Sequence, residues 1–298
     1  MPSPAHQAVV TALRAMPILG AGGKLDIAAA RAAMVASTAT TPLPSGARFE
    51  KVDASGVPAE WVSFAESDRS KVILYLHGGG YAIGSIETHR GLGARIAEAT
   101  GSRLLLIDYR LAPESPFPGA VEDATAAYLF LLDEGFAPDQ IAIGGDSAGG
   151  GLTFAALVNL RDQGHTLPGV AFALSPWVDL EGLGESMSSK ADADPMVGKD
   201  GLVAMGQAYL GETHPRTPLA APLYADLSGL PPMLIQVGTA EVLLDDSIRI
   251  VERLRACGGT VELRKFEDLI HVFQAFAPLV PEATEAIDEI GSFLKRHL

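Results

Sequence analysis

Gly145-Asp146-Ser147-Ala148-Gly149 sets one serine between two glycines, directly after the apolar run Ile141-Ala142-Ile143 and ahead of an alanine-rich stretch over 151–161. Strand, sharp turn and helix in that order push a serine hydroxyl above the end of a sheet, where it can act as a nucleophile. With 32 Gly in the chain, a G-x-S-x-G match arises by composition in about one sequence in ten. The chemistry therefore has to be supported by other residues.

A serine hydroxyl needs a base to take its proton, and the base needs a third group to hold its tautomer. In the order serine, acid, histidine, only His271 and His297 of the seven histidines follow every candidate acid. His297 is the penultimate residue, whereas His271 falls in the loop after the strand expected at 260–266, so His271 is the expected base. The acid belongs after the strand that ends at Gly238. Glu241 is the preferred residue and Asp245 the alternative, with Asp179 and Asp194 outsiders because both precede that strand. Asp245 and Asp246 serve equally well as the start of the next helix, through affinity for its free N–H groups.

An oxyanion formed on the serine needs hydrogen-bond donors. His77-Gly78-Gly79-Gly80 follows the strand ending at Leu76 and can turn backbone N–H groups into a cavity. His77 precedes Ser147 and is read as a loop-fixing partner rather than a base; Asp146 is read as bracing the serine turn.

The elements that must carry these residues follow from hydrophobic patterning. Residues 1–45 read as loosely amphipathic helices, clearest over 24–37, and 47–54 with 58–64 read as an antiparallel hairpin at a sheet edge. Continuous apolar runs at 72–76 and 103–109 are strands covered on both faces. Helix at 119–133, strand at 140–144, helix at 147–163 and strand at 170–175 give the alternation of a parallel sheet. Residues 179–218 interrupt it with Gly, Ser and Pro clusters and one helix at 201–210; strand 233–237, helix 244–256, strand 260–266 and helix 281–297 complete the chain.

Composition narrows the function classes. Hydrophobic content of 48%, 19% charged residues and a net charge of -14 describe a globular chain that repels nucleic acid and anionic membranes. A single cysteine, Cys257, excludes an internal disulfide, and the expected setting is the cytoplasm. Arg14 interrupts the apolar stretch at 8–19, against a signal peptide, and no apolar run reaches the ~20 residues that span a bilayer.

Together, His77-Gly78-Gly79-Gly80, Tyr109-Arg110-Leu111-Ala112-Pro113-Glu114 with Pro116 and Pro118, Gly145-Asp146-Ser147-Ala148-Gly149-Gly150 and Asp268-Leu269-Ile270-His271-Val272-Phe273 resemble the hormone-sensitive-lipase-like branch of the α/β-hydrolases, the microbial carboxylesterases. The resemblance runs from about Ala47 to the C-terminus. It implies a mostly parallel sheet flanked by helices, one hydrolase domain over 1–298, and a helical cap from about 1–45 and 180–217. It also implies Ser147 as nucleophile, His271 as base, and Gly79, Gly80 and Ala148 as oxyanion donors. The family usually carries Asp-Pro-Leu at the acid position, where this chain reads Glu241-Val242-Leu243. The expected reaction is hydrolysis of short-chain esters, small-molecule substrates, without metal or organic cofactor. Acyl transfer to an alcohol or amide hydrolysis by the same serine are the alternatives, and a receptor without turnover is a more distant one. The family often dimerises through the edge of its last strand, here 260–266.

Overall fold

The computed structural model describes residues 1–16, 25–39 and 41–298. Its centre is an eight-stranded sheet: β1 (Arg48–Ala54), β2 (Val57–Ser63), β3 (Asp68–Leu76), β4 (Ser102–Ile107), β5 (Ile141–Asp146), β6 (Val170–Leu174), β7 (Met233–Gly238) and β8 (Val261–Phe266). The spatial order is β1-β2-β4-β3-β5-β6-β7-β8. Only the pairings β1 with β2 and β2 with β4 are antiparallel. The remaining strands run parallel, so all their carboxyl ends share one edge, where ligands bind in open α/β sheets.

The helices are α1 (Pro4–Arg14), α2 (Ile27–Thr38), α3 (Ile86–Thr100), α4 (Gly119–Asp133), α5 (Ala148–Asp162), α6 (Ser186–Ser189), α7 (Lys199–Leu210), α8 (Leu244–Ala256) and α9 (Pro281–His297). Because side chains alternate across a strand, Val72, Leu74 and Leu76 enter one apolar cluster with α4 and α5 residues. Ile73 and Tyr75 enter the other, with residues of α3 and α9. Continuous apolar strands are what two covered faces require.

The sequence pattern locates most elements to within a few residues, but it leaves α3 unread. That helix is glycine-interrupted at Gly91 and Gly93 and weakly apolar, so its period is faint. Its boundaries are set by polar contacts: Ser85 Oγ accepts from Thr88 N–H, Thr88 Oγ1 accepts from Ser85 N–H, and Gly101 closes the C-terminus at φ 71°.

The N-terminal helices contact the carboxyl edge. Arg31 on α2 donates to Ala82 O, Ala112 O and Glu114. Val9, Val10 and Leu13 of α1 lie against the cluster that contains Leu269, Ile270 and Phe273. The Ser3 N–H and hydroxyl donate to Glu282, pinning the start of α1 to α9. Part of the helical stretch expected over 1–45 falls at 17–24 and 40, outside the described residues. Among the described residues, no helix is long and apolar enough to cross a membrane.

Candidate active site

Ser147 stands between β5 and α5 with φ 53° and ψ -118°, a conformation that costs a non-glycine residue energy unless its surroundings impose it. Here they do. The Ser147 N–H donates to Leu174 O (2.8 Å), and its carbonyl accepts from Gly151 (3.0 Å) and Trp177 (2.9 Å). Both flanking glycines are demanded by close approach: a Cβ at Gly145 would lie 2.3 Å from Leu76 O, and one at Gly149 only 2.0 Å from the same atom. Four of the six described non-glycine residues with positive φ (Tyr81, Ser147, Ser175 and Val272) surround this turn and the loops beside it. Strain concentrated in this way marks a functional site.

His271 lies buried in the loop after β8, and its Nδ1 is 3.2 Å from Glu241 Oε1. Glu241, fully buried after β7, accepts through Oε2 from Ser175 Oγ (2.8 Å) and Gly238 N–H (3.1 Å). The two loops are tied by backbone bonds, Thr239 N–H to Phe266 O (2.9 Å) and Ala240 N–H to Leu269 O (3.0 Å). Ser175 links them to the serine. Its Oγ accepts from Val272 N–H (3.2 Å), and its predecessor Leu174 holds the Ser147 N–H. The structure thus pairs His271 with Glu241 on the loops after β8 and β7, with β6 lying between β7 and the strand that leads into Ser147.

Asp245 stands apart from His271: its Oδ2 accepts from Ser186 N–H (2.9 Å). Asp246 accepts from Val178 and Asp179 N–H, at 2.9 Å each. Both acids open α8 as their positions predict, but each engages the 178–186 segment through one oxygen, Oδ2.

Burial works against charge on both members of the central pair. It raises the Glu241 carboxyl above its usual range, opposed by the hydrogen bond and charge of His271. For His271, burial pulls the other way but the Glu241 hydrogen bond and charge outweigh it, and the imidazole pKa is raised.

The glycine loop lies beside the serine turn. Gly79 (φ 116°) and Gly80 (φ 60°) occupy backbone regions that side chains disfavour, and the Gly79 carbonyl anchors a turn by accepting from Ala82 and Ile83. Among the described residues, the N–H groups of Gly79 and Gly80 donate to no protein acceptor. Ala148 is the first residue of α5, where an N–H has no partner within the helix. Asp146 braces the loop as well as the turn: its Oδ1 accepts from Gly78 N–H (3.1 Å) and Tyr75 OH (2.8 Å). His77 stacks on Tyr109 with centroids 4.3 Å apart and donates from Nδ1 to Gly78 O (2.7 Å). Burial, with His89 adding to it, pushes its pKa down to about 3, so it stays neutral at ordinary pH.

Sequence reasoning missed two contributors, His89 and Ser175, and weighed a third, Asp194, only as an outsider for the acid. His89 on α3 sets Nε2 3.4 Å from Asp146 Oδ2 behind the glycine loop. Ser175 joins the two loops, and Asp194 reaches the acid loop from the 180–217 segment. No motif spacing announces them, because each acts through a contact made between distant parts of the chain.

Comparison with known proteins agrees with the fold. Residues 73–275 match the family model described as the alpha/beta hydrolase fold. An acetyl-hydrolase of Streptomyces hygroscopicus is 44% identical over 237 residues, spanning 80% of this chain and 79% of that protein. The crystal structure of an esterase from the bacterial hormone-sensitive lipase family superposes with a TM-score of 0.95 at 45% identity, covering 100% of this chain and 99% of the other. EstE5, whose crystal was soaked with p-nitrophenyl butyrate, superposes with a TM-score of 0.95 at 42% identity and 99% coverage of both chains. The chain belongs to the hormone-sensitive-lipase-like family of α/β-hydrolases. It is an enzyme of the carboxylic ester hydrolase class.

Proposed function

We propose that the protein hydrolyses short-chain acyl esters through a covalent acyl-enzyme on Ser147, with His271 as general base and Glu241 as the orienting acid. The observation that carries this reading is the buried Glu241–His271 pair, 3.2 Å apart, on loops tied through Ser175 to the strained serine turn. With Nδ1–H held by Glu241, the other imidazole nitrogen is free to take the hydroxyl proton as Ser147 Oγ attacks the acyl carbon. The oxyanion is received by the N–H groups of Gly79, Gly80 and Ala148. Collapse breaks the bond to the alcohol, which leaves with the proton from His271. Water, deprotonated by His271, then attacks the acyl-enzyme, releasing the carboxylic acid and restoring Ser147. No metal or organic cofactor takes part.

Short acyl groups are favoured by what crowds the glycine loop. Met205 Sδ from α7 lies 2.0 Å from where a Cβ on Gly80 would stand, and Tyr81 stacks on Tyr209 at 3.8 Å. The acetyl-hydrolase relative and the butyrate-ester soak of EstE5 support the same choice. In this reading residues 1–45 and 180–217 are the cap, and the exposed edge of β8 is where two copies pair, a point light scattering checks.

The test is a panel of p-nitrophenyl esters from acetate to laurate, run on the wild type and Ser147→Ala, beside labelling with an organophosphonate. The expected result is one phosphonate on Ser147, fastest turnover at two to four acyl carbons, and loss of about 10⁴-fold or more in kcat for the variant. Full activity of Ser147→Ala, or a preference for laurate, overturns the reading. Product analysis with an added alcohol distinguishes hydrolysis from acyl transfer.

A further inference from the structure

Val242 follows Glu241, and both of its backbone hydrogen-bonding groups are held by side chains from the segment inserted after β6. Its N–H donates to Asp194 Oδ2 (3.1 Å), and its carbonyl accepts from Ser186 Oγ (2.6 Å). Asp194 and Ser186 are each only 2% exposed. The second oxygen of Asp194 is occupied inside its own segment, accepting from Met196 (2.9 Å) and Val197 (3.0 Å) N–H groups. Ser186 is fixed from the other side by Asp245, whose N–H donates to Ser186 Oγ (3.0 Å). A buried carboxylate is tolerated only when fully bonded, and Asp194 meets that condition by bridging the insertion to the acid loop.

We propose that Asp194 and Ser186 are positioning residues that clamp the Val242 peptide and so hold Glu241 against His271 only while the 186–197 segment is seated. The inference rests on the Ser147–His271–Glu241 reading above. Neither residue touches substrate; both act through the orientation of the acid. Asp194 also contributes charge. The carboxylates facing His271 are Glu241 from the loop after β7, Asp194 from the insertion and Asp146 from the end of β5, and all three favour the imidazolium while burial opposes it. A seated segment therefore both aligns the acid and strengthens the base, which couples the insertion to turnover.

Asp194→Asn removes the charge and presents an amide donor to a backbone N–H, whereas Ser186→Ala removes one hydrogen bond and no charge. Kinetics on p-nitrophenyl acetate across pH 5 to 9 separate the two roles. For Asp194→Asn the expected result is kcat lower by about tenfold, KM within about threefold, and the acidic limb of kcat/KM displaced to lower pH. For Ser186→Ala it is kcat lower by about fivefold with the limb unmoved. An Asp194→Asn enzyme whose kcat is within about twofold of wild type, or whose limb stays in place, overturns the proposal. If that variant does not fold, Ser186→Ala decides: kcat within about twofold of wild type overturns it. Glu241→Ala and Ser147→Ala serve as controls, since retained activity in those would instead bring down the triad reading.

Discussion

At the scale of single residues, the question is which carboxylate serves His271. Glu241 is buried against its Nδ1, while Asp245 is spent on Ser186. Glu241→Ala should therefore lower kcat by about 10²- to 10⁴-fold, as loss of the orienting acid does, and Asp245→Ala should stay within about tenfold of wild type. Near-full kcat in the first with a large loss in the second would reverse the assignment. The glutamate in place of the family's usual aspartate is accommodated by two bonds to its Oε2, from Gly238 N–H at the end of its own strand and from Ser175 Oγ just past the neighbouring strand β6. In the proposed mechanism the same pair sets the pH dependence. A base must be neutral to act, and Glu241 raises the His271 pKa from its ordinary 6.5. Activity should thus be lost on acidification at a pH above 6.5, and a kcat/KM profile flat from pH 5 to 8 would exclude a histidine base.

At the scale of elements, α7 decides how much room lies over the glycine loop. Met205 and Tyr209 sit one helical turn apart and both point at that loop, one toward Gly80 and the other stacked on Tyr81. Methionine is the deformable member of the two. Met205→Ala should raise the ratio of kcat/KM for octanoate over acetate esters by about tenfold, the worth of a few methylenes in an apolar pocket. An unchanged ratio would place the acyl group elsewhere. The glycine loop itself is shaped from behind by α3, through His89 on Asp146, so an element that the hydrophobic pattern hides supports the groups that the motif reveals.

At the scale of the whole molecule, the insertion after β6 is fastened to α8 by buried acids, and this affects stability. Burial raises the Asp246 carboxyl from 3.8 to about 7, against the lowering by its bonds from Val178 and Asp179. The folded chain then keeps a proton that the unfolded chain has lost. The stability contributed by that proton is fully present below pH 3.8 and disappears as pH rises through about 7. Asp246→Asn should flatten the fall of Tm across this interval, measured by scanning calorimetry; an identical slope would show that Asp246 is ionised throughout. By itself the sequence determined the strands of the sheet, the serine turn and the glycine loop, and it put Glu241 and His271 on the loops that follow. These are local: apolar runs mark strands covered on both faces, and glycines mark places where the backbone comes too close for a Cβ. The sequence already favoured Glu241 over Asp245; the buried contact of Glu241 with His271, and the contacts made by Ser175, His89 and Asp194, exist only in the tertiary structure. A carboxylate's partner is whichever group the fold brings within about 3 Å of it, and contacts across 30 to 97 residues of chain leave no period or spacing in the sequence.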